Sequence, residues 1–210
     1  MAAKRYIKYW DKRVEIFGPE KAFEPLTLAK ALRDDTVALS TGFFRLTGTK
    51  GKGGRNIVFC DPSLQDNADY TRESMVRTIW YVLHAALEDE DTQKKGFVFI
   101  VYPWKSTTRH FDRELCNRIF ACVKGCLPIR LSAMHFCHPT KIMLALFPIV
   151  KVIMGERLRK RIIVHSASQS KARAELEKYD LYEDKLPVEI GGTLALDHDR
   201  WLRQRSMHGQ

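Results

Sequence analysis

Three arginines carry the chemistry most directly readable in this chain. Arg157 and Arg161 lie four residues apart, a spacing that puts both on one face of a helical segment. Arg130 opens a strand just after the break Leu127-Pro128, a place where α/β folds often expose ligand-contacting groups. The planar guanidinium donates two parallel hydrogen bonds to a phosphate. The predicted chemistry is therefore capture of an anion, with no bond made or broken and no catalytic residue. Taken alone, three arginines are also what a solvated basic surface looks like.

Other reactive residue types fall short of a site. Cys116, Cys122 and Cys126 with His135, Cys137 and His138 lack the paired CxxC spacing of a zinc centre, so no metal is predicted. His165-Ser166 has no GxSxG turn around it, and no histidine sits in a triad context. TGTKGKGG (47–54) lacks the GxxxxGK[ST] spacing of a phosphate loop and precedes a strand instead of a helix. Together with Arg55 it is predicted as a hairpin turn over 47–55.

The elements around the arginines sharpen the reading. With period two, Ser132, Met134 and Phe136 share a strand face with Arg130, a gradient from cation to soft apolar groups. Directly after it, TKIMLALFPIVKVIMGERLRKR (140–161) sets an apolar helix against the arginines. Ile142, Leu146, Ile149, Val150 and Ile153 belong to a helix with no polar face, unlike an ordinary surface helix. Its length of roughly 20 Å is too short for a bilayer core. Such a helix buries both faces in protein or covers something apolar that is not protein, and beside a phosphate-binding patch that points to a lipid. Pro148 suggests a kink within it.

Composition agrees with a folded domain. The 210 residues suffice for one full core, and 45% apolar with 29% charged residues excludes a disordered chain. The N-terminus has no signal-peptide core, and five cysteines, an odd number, read as reduced thiols, so a cytoplasmic protein is expected. A net charge of +10 calls for an acidic partner. Nucleic acid is the rival partner, but Phe97, Phe99, Phe136 and Phe147 sit in apolar strands and helices, not interleaved with basic residues. An anionic membrane surface is preferred, with no nucleic acid.

Along the chain, helices are predicted over about 4–17, 27–33, 71–88, 111–124, 140–154 and 171–179, and strands over 56–60, 96–103, 130–137 and 162–166. Alternation of strands and helices predicts an α/β fold with a mixed, largely parallel sheet.

The run LPIRLSAMHFCHPTKIMLALFPIVKVIMGERLRKRIIVHSAS, followed by LPVEIGG, resembles the centre of a CRAL-TRIO lipid-binding domain. The match lies in the order: a break, a strand ending in a proline turn, an apolar helix, a basic turn, a strand and LPxExGG. It covers about residues 40–195. The resemblance implies a sheet floor with helices around it and a gate helix, Lys141 to Met154, over a lipid pocket. It implies Ser132, Met134, Phe136, Ile142, Leu146, Ile149, Val150 and Ile153 at that pocket, and Arg130, Arg157 and Arg161 at a lipid or phosphoinositide phosphate. Ile129 and Leu158 replace a glutamate and a threonine of the inositol-binding members, which counts against headgroup recognition of that type.

The organisation expected is a short helical N-terminal segment (1–35), the lipid-binding domain (36–197) and a C-terminal tail (198–210). The function expected is a lipid-binding or lipid-transfer protein, transiently membrane-associated, with a phospholipid, phosphoinositide or other hydrophobic ligand and no cofactor. The alternative is a scaffold or interaction module that keeps the fold without exchanging lipid.

Overall fold

The computed structural model describes residues 2–65 and 68–210. Helix α1 (Ala2–Lys21) is interrupted at Gly18, whose φ of 77° takes it out of the helical region ahead of Pro19. Residues 27–33, predicted as a helix, form consecutive turns, with Ala31 N bonding back to the Pro25 carbonyl and Leu32 N to the Thr27 carbonyl. The short helix α2 (Val37–Ser40) follows.

Strand β1 (Phe44–Gly51) pairs antiparallel with β2 (Arg55–Cys60). The stretch 47–55, predicted as turn throughout, is thus strand up to Gly51, and only Lys52–Gly54 make the turn. Helices α3 (Arg72–Ala86) and α4 (Glu90–Lys95) lead to β3 (Phe97–Val101). Thr71 and Asp89 cap them by accepting from Ser74 N and Thr92 N. Helix α5 (Arg113–Gly125), β4 (Leu131–Phe136), α6 (Lys141–Arg159), β5 (Ile162–Val164) and α7 (Gln169–Glu177) complete the domain.

The sheet runs β1-β2-β3-β4-β5, antiparallel at its first pair and parallel through the other three. This is the mixed, largely parallel sheet expected. Consecutive parallel strands joined by right-handed crossovers collect their helices on one face. The buried clusters divide accordingly. Phe97, Phe99 and Val101 of β3 pack with the α3, α5 and α6 side, while Val98 and Ile100 pack with Leu176 of α7 and with Leu181, Leu186 and Ile190.

One departure from regular alternation matters for the site. Phe97 pairs with Leu131 but Val98 pairs with Ala133, so β4 holds one extra residue at Ser132. The bulge turns Leu131 to the same face as Met134 and Phe136, and Ser132 away from it. The expected single face of Arg130, Ser132, Met134 and Phe136 is corrected by this inserted residue.

The closing motif is explained by close approach. A Cβ on Gly192 would stand 1.9 Å from the Leu186 carbonyl oxygen, and Gly191 has a φ of 88°. Glu189 reaches back to Arg45 of β1 in an ion pair of 3.0 Å. Residues 198–210, expected as a tail, carry helix α8 (His198–Met207). Its buried Arg205 forks onto both carboxylate oxygens of Glu88 at 2.6 and 2.7 Å and donates to the Tyr81 hydroxyl.

Candidate functional site

Helix α6 is two pieces. Its angles stay helical through Pro148 and leave the helical region at Gly155 (φ 75°, ψ 170°). The break in the helix thus lies at Gly155, seven residues after the proline where a kink is expected. At the break the Ile153 carbonyl accepts a hydrogen bond from Lys124 Nζ, a side-chain donor for a group near an interrupted ladder.

Beyond that break the chain turns back towards the start of β4 and forms a cationic cleft of about 380 Å³. Arg130, Arg157 and Arg161 all line it, so the three arginines picked from sequence do meet. Arg5 of α1 and Lys124 of α5 line it too, and sequence reasoning missed both. Nothing in the spacing of either residue points to the cleft; only the packing of α1 against α5 delivers Arg5. Glu156 is the one acidic residue in the lining, and it pairs with Lys160 at 2.9 Å. Among the described residues, Arg5, Arg130, Arg157 and Arg161 form no ion pair, while Arg161 donates to the Ser132 carbonyl at 3.2 Å. Unpaired cations converging on one hollow repel one another and gain from a polyanion.

On the helix face of the sheet lies a second, apolar cavity of about 120 Å³. Its floor includes Leu131, Met134 and Phe136 of β4; α5 supplies Ile119, Phe120 and Val123, and α6 supplies Met143 and Val150. Phe147 sits beside it with its ring edge-on to Phe136, centroids 4.6 Å apart. Val123 and Leu131 line both the cavity and the cationic cleft, so the two spaces share a wall.

The outer side of α6 is apolar as well. Ile142, Ile149 and Val152 are 40, 38 and 77% exposed, one stripe at helical spacing with Leu144 at its flank. Of the residues expected at the pocket, Met134, Phe136 and Val150 line the cavity. Ile142 and Ile149 face outward, Leu146 is half-buried, and Ile153 is buried beyond the cavity lining. Ser132 lies with Ala133 in a separate groove beside Arg157 and Arg161. A helix apolar all round thus divides its faces between cavity and exterior.

The remaining reactive side chains are held in inert states. All five cysteines are free, and burial pushes Cys116 up to about 11 and Cys122 and Cys137 to about 12, so they stay as thiols. His135 Nδ1 meets His165 Nε2 at 2.9 Å, and His165 Nδ1 meets Glu175 at 3.2 Å. This chain of contacts lies on the face away from the cavity. Burial, with His165 as a lesser influence, lowers His135 to about 3. Among the described residues no cluster of three or more His, Cys, Asp or Glu side chains is arranged to hold a metal.

A sheet floor, an apolar cavity under a helix and a cationic cleft opening beside it make up the site. The family model for the CRAL/TRIO domain matches residues 39–192, and the chain belongs to that family. It is similar to mouse Clavesin-2, 26% identical over 203 residues that cover 95% of this chain and 58% of that protein. It is also similar to the human alpha-tocopherol transfer protein-like protein, 25% identical over 81% of this chain and 49% of that one. The chain thus spans about half the length of the curated relatives it matches. The crystal structure of Sfh5 superposes with a TM-score of 0.61 over 98% of this chain and 80% of that one, at 12% identity, which is a likeness of fold. The family is one of lipid-binding and lipid-transfer domains. No helix among the described residues is long and apolar enough to cross a membrane.

Proposed function

We propose that this protein carries one small hydrophobic or phospholipid molecule in the cavity beneath α6 and docks on anionic membranes through the cleft of Arg5, Lys124, Arg130, Arg157 and Arg161. The observation that carries this reading is the shared wall: Val123 and Leu131 border both the apolar and the cationic space. An amphiphile needs that adjacency, and so does a carrier that loads while its basic cleft holds a headgroup. The outward stripe of Ile142, Ile149 and Val152 supplies an apolar surface beside the cations, suited to the acyl boundary of a leaflet. Each basic residue near an anionic surface contributes about 1 kcal/mol, enough for reversible attachment. Binding is then cytoplasmic and transient, with no chemistry performed on the lipid.

The cavity of about 120 Å³ is well below the roughly 300–1,000 Å³ of ligand pockets. Loading therefore requires α6 to move outward, carrying Met143, Phe147 and Val150 off the sheet. The same small volume favours a second reading, a scaffold whose pocket is filled by its own Phe136 and Phe147. Mass spectrometry of organic extracts from the purified protein, against a mock purification, separates the two. A stoichiometric lipid supports the carrier. No lipid, together with no uptake from mixed liposomes, leaves the scaffold.

A further inference from the structure

The cavity wall is carbon except at one end. Of the polar residues there, His110 is engaged at both ring nitrogens, by Thr107 N at 2.8 Å and Arg109 Nε at 3.2 Å. Cys60 and Cys116 are thiols, which bond weakly. Gln65 is different. It is 7% exposed, it lines the cavity, and its Nε2 is buried without a hydrogen-bond partner.

Buried amide donors are nearly always paired, so this one calls for an explanation. The turn that carries it is well fixed: Asp61 accepts from Ser63 N at 3.0 Å, and Gln65 N bonds the Pro62 carbonyl at 3.2 Å. The side chain is thus held at the cavity by a short, capped turn.

Its place in the sheet decides what it can serve. Gln65 follows the C-terminal end of β2, whereas the cationic cleft meets the cavity at Leu131, the N-terminal end of β4. Both strands run parallel to β3 between them, so the amide and the arginines stand at opposite ends of the sheet. A ligand group bound by Gln65 is therefore not the phosphate bound by the arginines.

Resting on the carrier reading above, we infer that Gln65 selects the cargo, donating a hydrogen bond to a hydroxyl or carbonyl oxygen on a neutral lipid seated oxygen-first at the end of the cavity remote from the cleft. An apolar cavity cannot by itself distinguish an alcohol from its hydrocarbon. A buried donor left unpaired by the hydrocarbon can.

The test uses the full chain and its Gln65→Leu and Gln65→Met variants, each checked for folding by thermal melting. They are incubated with phosphatidylcholine–phosphatidylserine vesicles containing equimolar hexadecanol, hexadecane, cholesterol and cholestane, then re-isolated and extracted for mass spectrometry. The expected result is that the wild type retains the alcohol of each pair that loads at least about tenfold over its hydrocarbon, the scale of one hydrogen bond. Both variants lose that preference and still take up lipid. Uptake without an oxygen preference, a preference that survives in both variants, or retention of phospholipid alone overturns the role of Gln65 and leaves the carrier intact. No lipid of any class in the wild type removes the carrier reading, and the inference with it.

Discussion

A Cβ on Gly96 would stand 2.1 Å from the carbonyl oxygen of Arg130. That oxygen accepts a hydrogen bond from Phe97 N at 3.0 Å, so the glycine lets β4 approach closely enough to start its ladder with β3. Gly96 also ends α4 with a φ of 86°, where side chains are strained. The backbone position of Arg130 is set from behind by this contact. Gly96→Ala is expected to destabilise the fold by about 1–3 kcal/mol and to weaken binding to anionic vesicles. Urea titration and vesicle co-sedimentation read the two effects; wild-type values in both would mean that the contact does not set Arg130.

The two faces of α6 predict separable losses. Val150 faces the cavity, and Val150→Phe should block lipid uptake while vesicle binding persists. Val152 is exposed, and Val152→Asp should lower vesicle affinity by about tenfold, the equivalent of one buried valine. Lipid already bound should remain. Loss of both properties in both variants, with folding intact, would contradict this division.

In the cleft, Arg130→Ala and Arg157→Ala should each weaken attachment to anionic vesicles by about 1 kcal/mol. The effect should shrink as salt rises, because exposed charges are screened. Retention of neutral lipid should not change. A loss that is equal on uncharged vesicles would argue for a structural role.

Acid should destabilise the fold before its carboxylates titrate. Burial lowers His84 to about 4 and His135 to about 3, and it also lowers His138, His165 and His198. These rings bind fewer protons folded than unfolded, so their contribution is complete above about pH 6.5 and fades as pH falls towards the folded values. Stability should drop by about 1 kcal/mol per pH unit for each strongly shifted ring in that window. Urea midpoints at descending pH test this, and His84→Phe should flatten the slope. A midpoint constant from neutrality to mild acid would mean that these rings are not held neutral.

Much of this was legible in the sequence because it depends on local order. The apolar run, the arginine spacing and the strand–helix alternation each leave a periodic or compositional mark. What escaped depends on partners far along the chain. The bulge at Ser132 adds a single residue, which no alternation pattern reveals but which turns Leu131 inward and Ser132 outward. Arg5 reaches the cleft through packing of α1, and Arg205 anchors α8 through Glu88, 117 residues away. The apolar composition of α6 hid its outer stripe, since Ile142 and Ile149 differ from Met143 and Val150 only in direction.

Gly155 has a kinetic corollary. One uninterrupted rod would carry Arg157 along whenever the apolar segment swung outward, so cargo exit and headgroup detachment would happen in a single step. If the protein carries lipid as proposed, the joint at Gly155 allows each event its own barrier. Under the proposed function, dwell time on a leaflet and turnover of cargo can then be tuned by different substitutions, and a protein anchored at its cations can exchange lipid repeatedly before it departs.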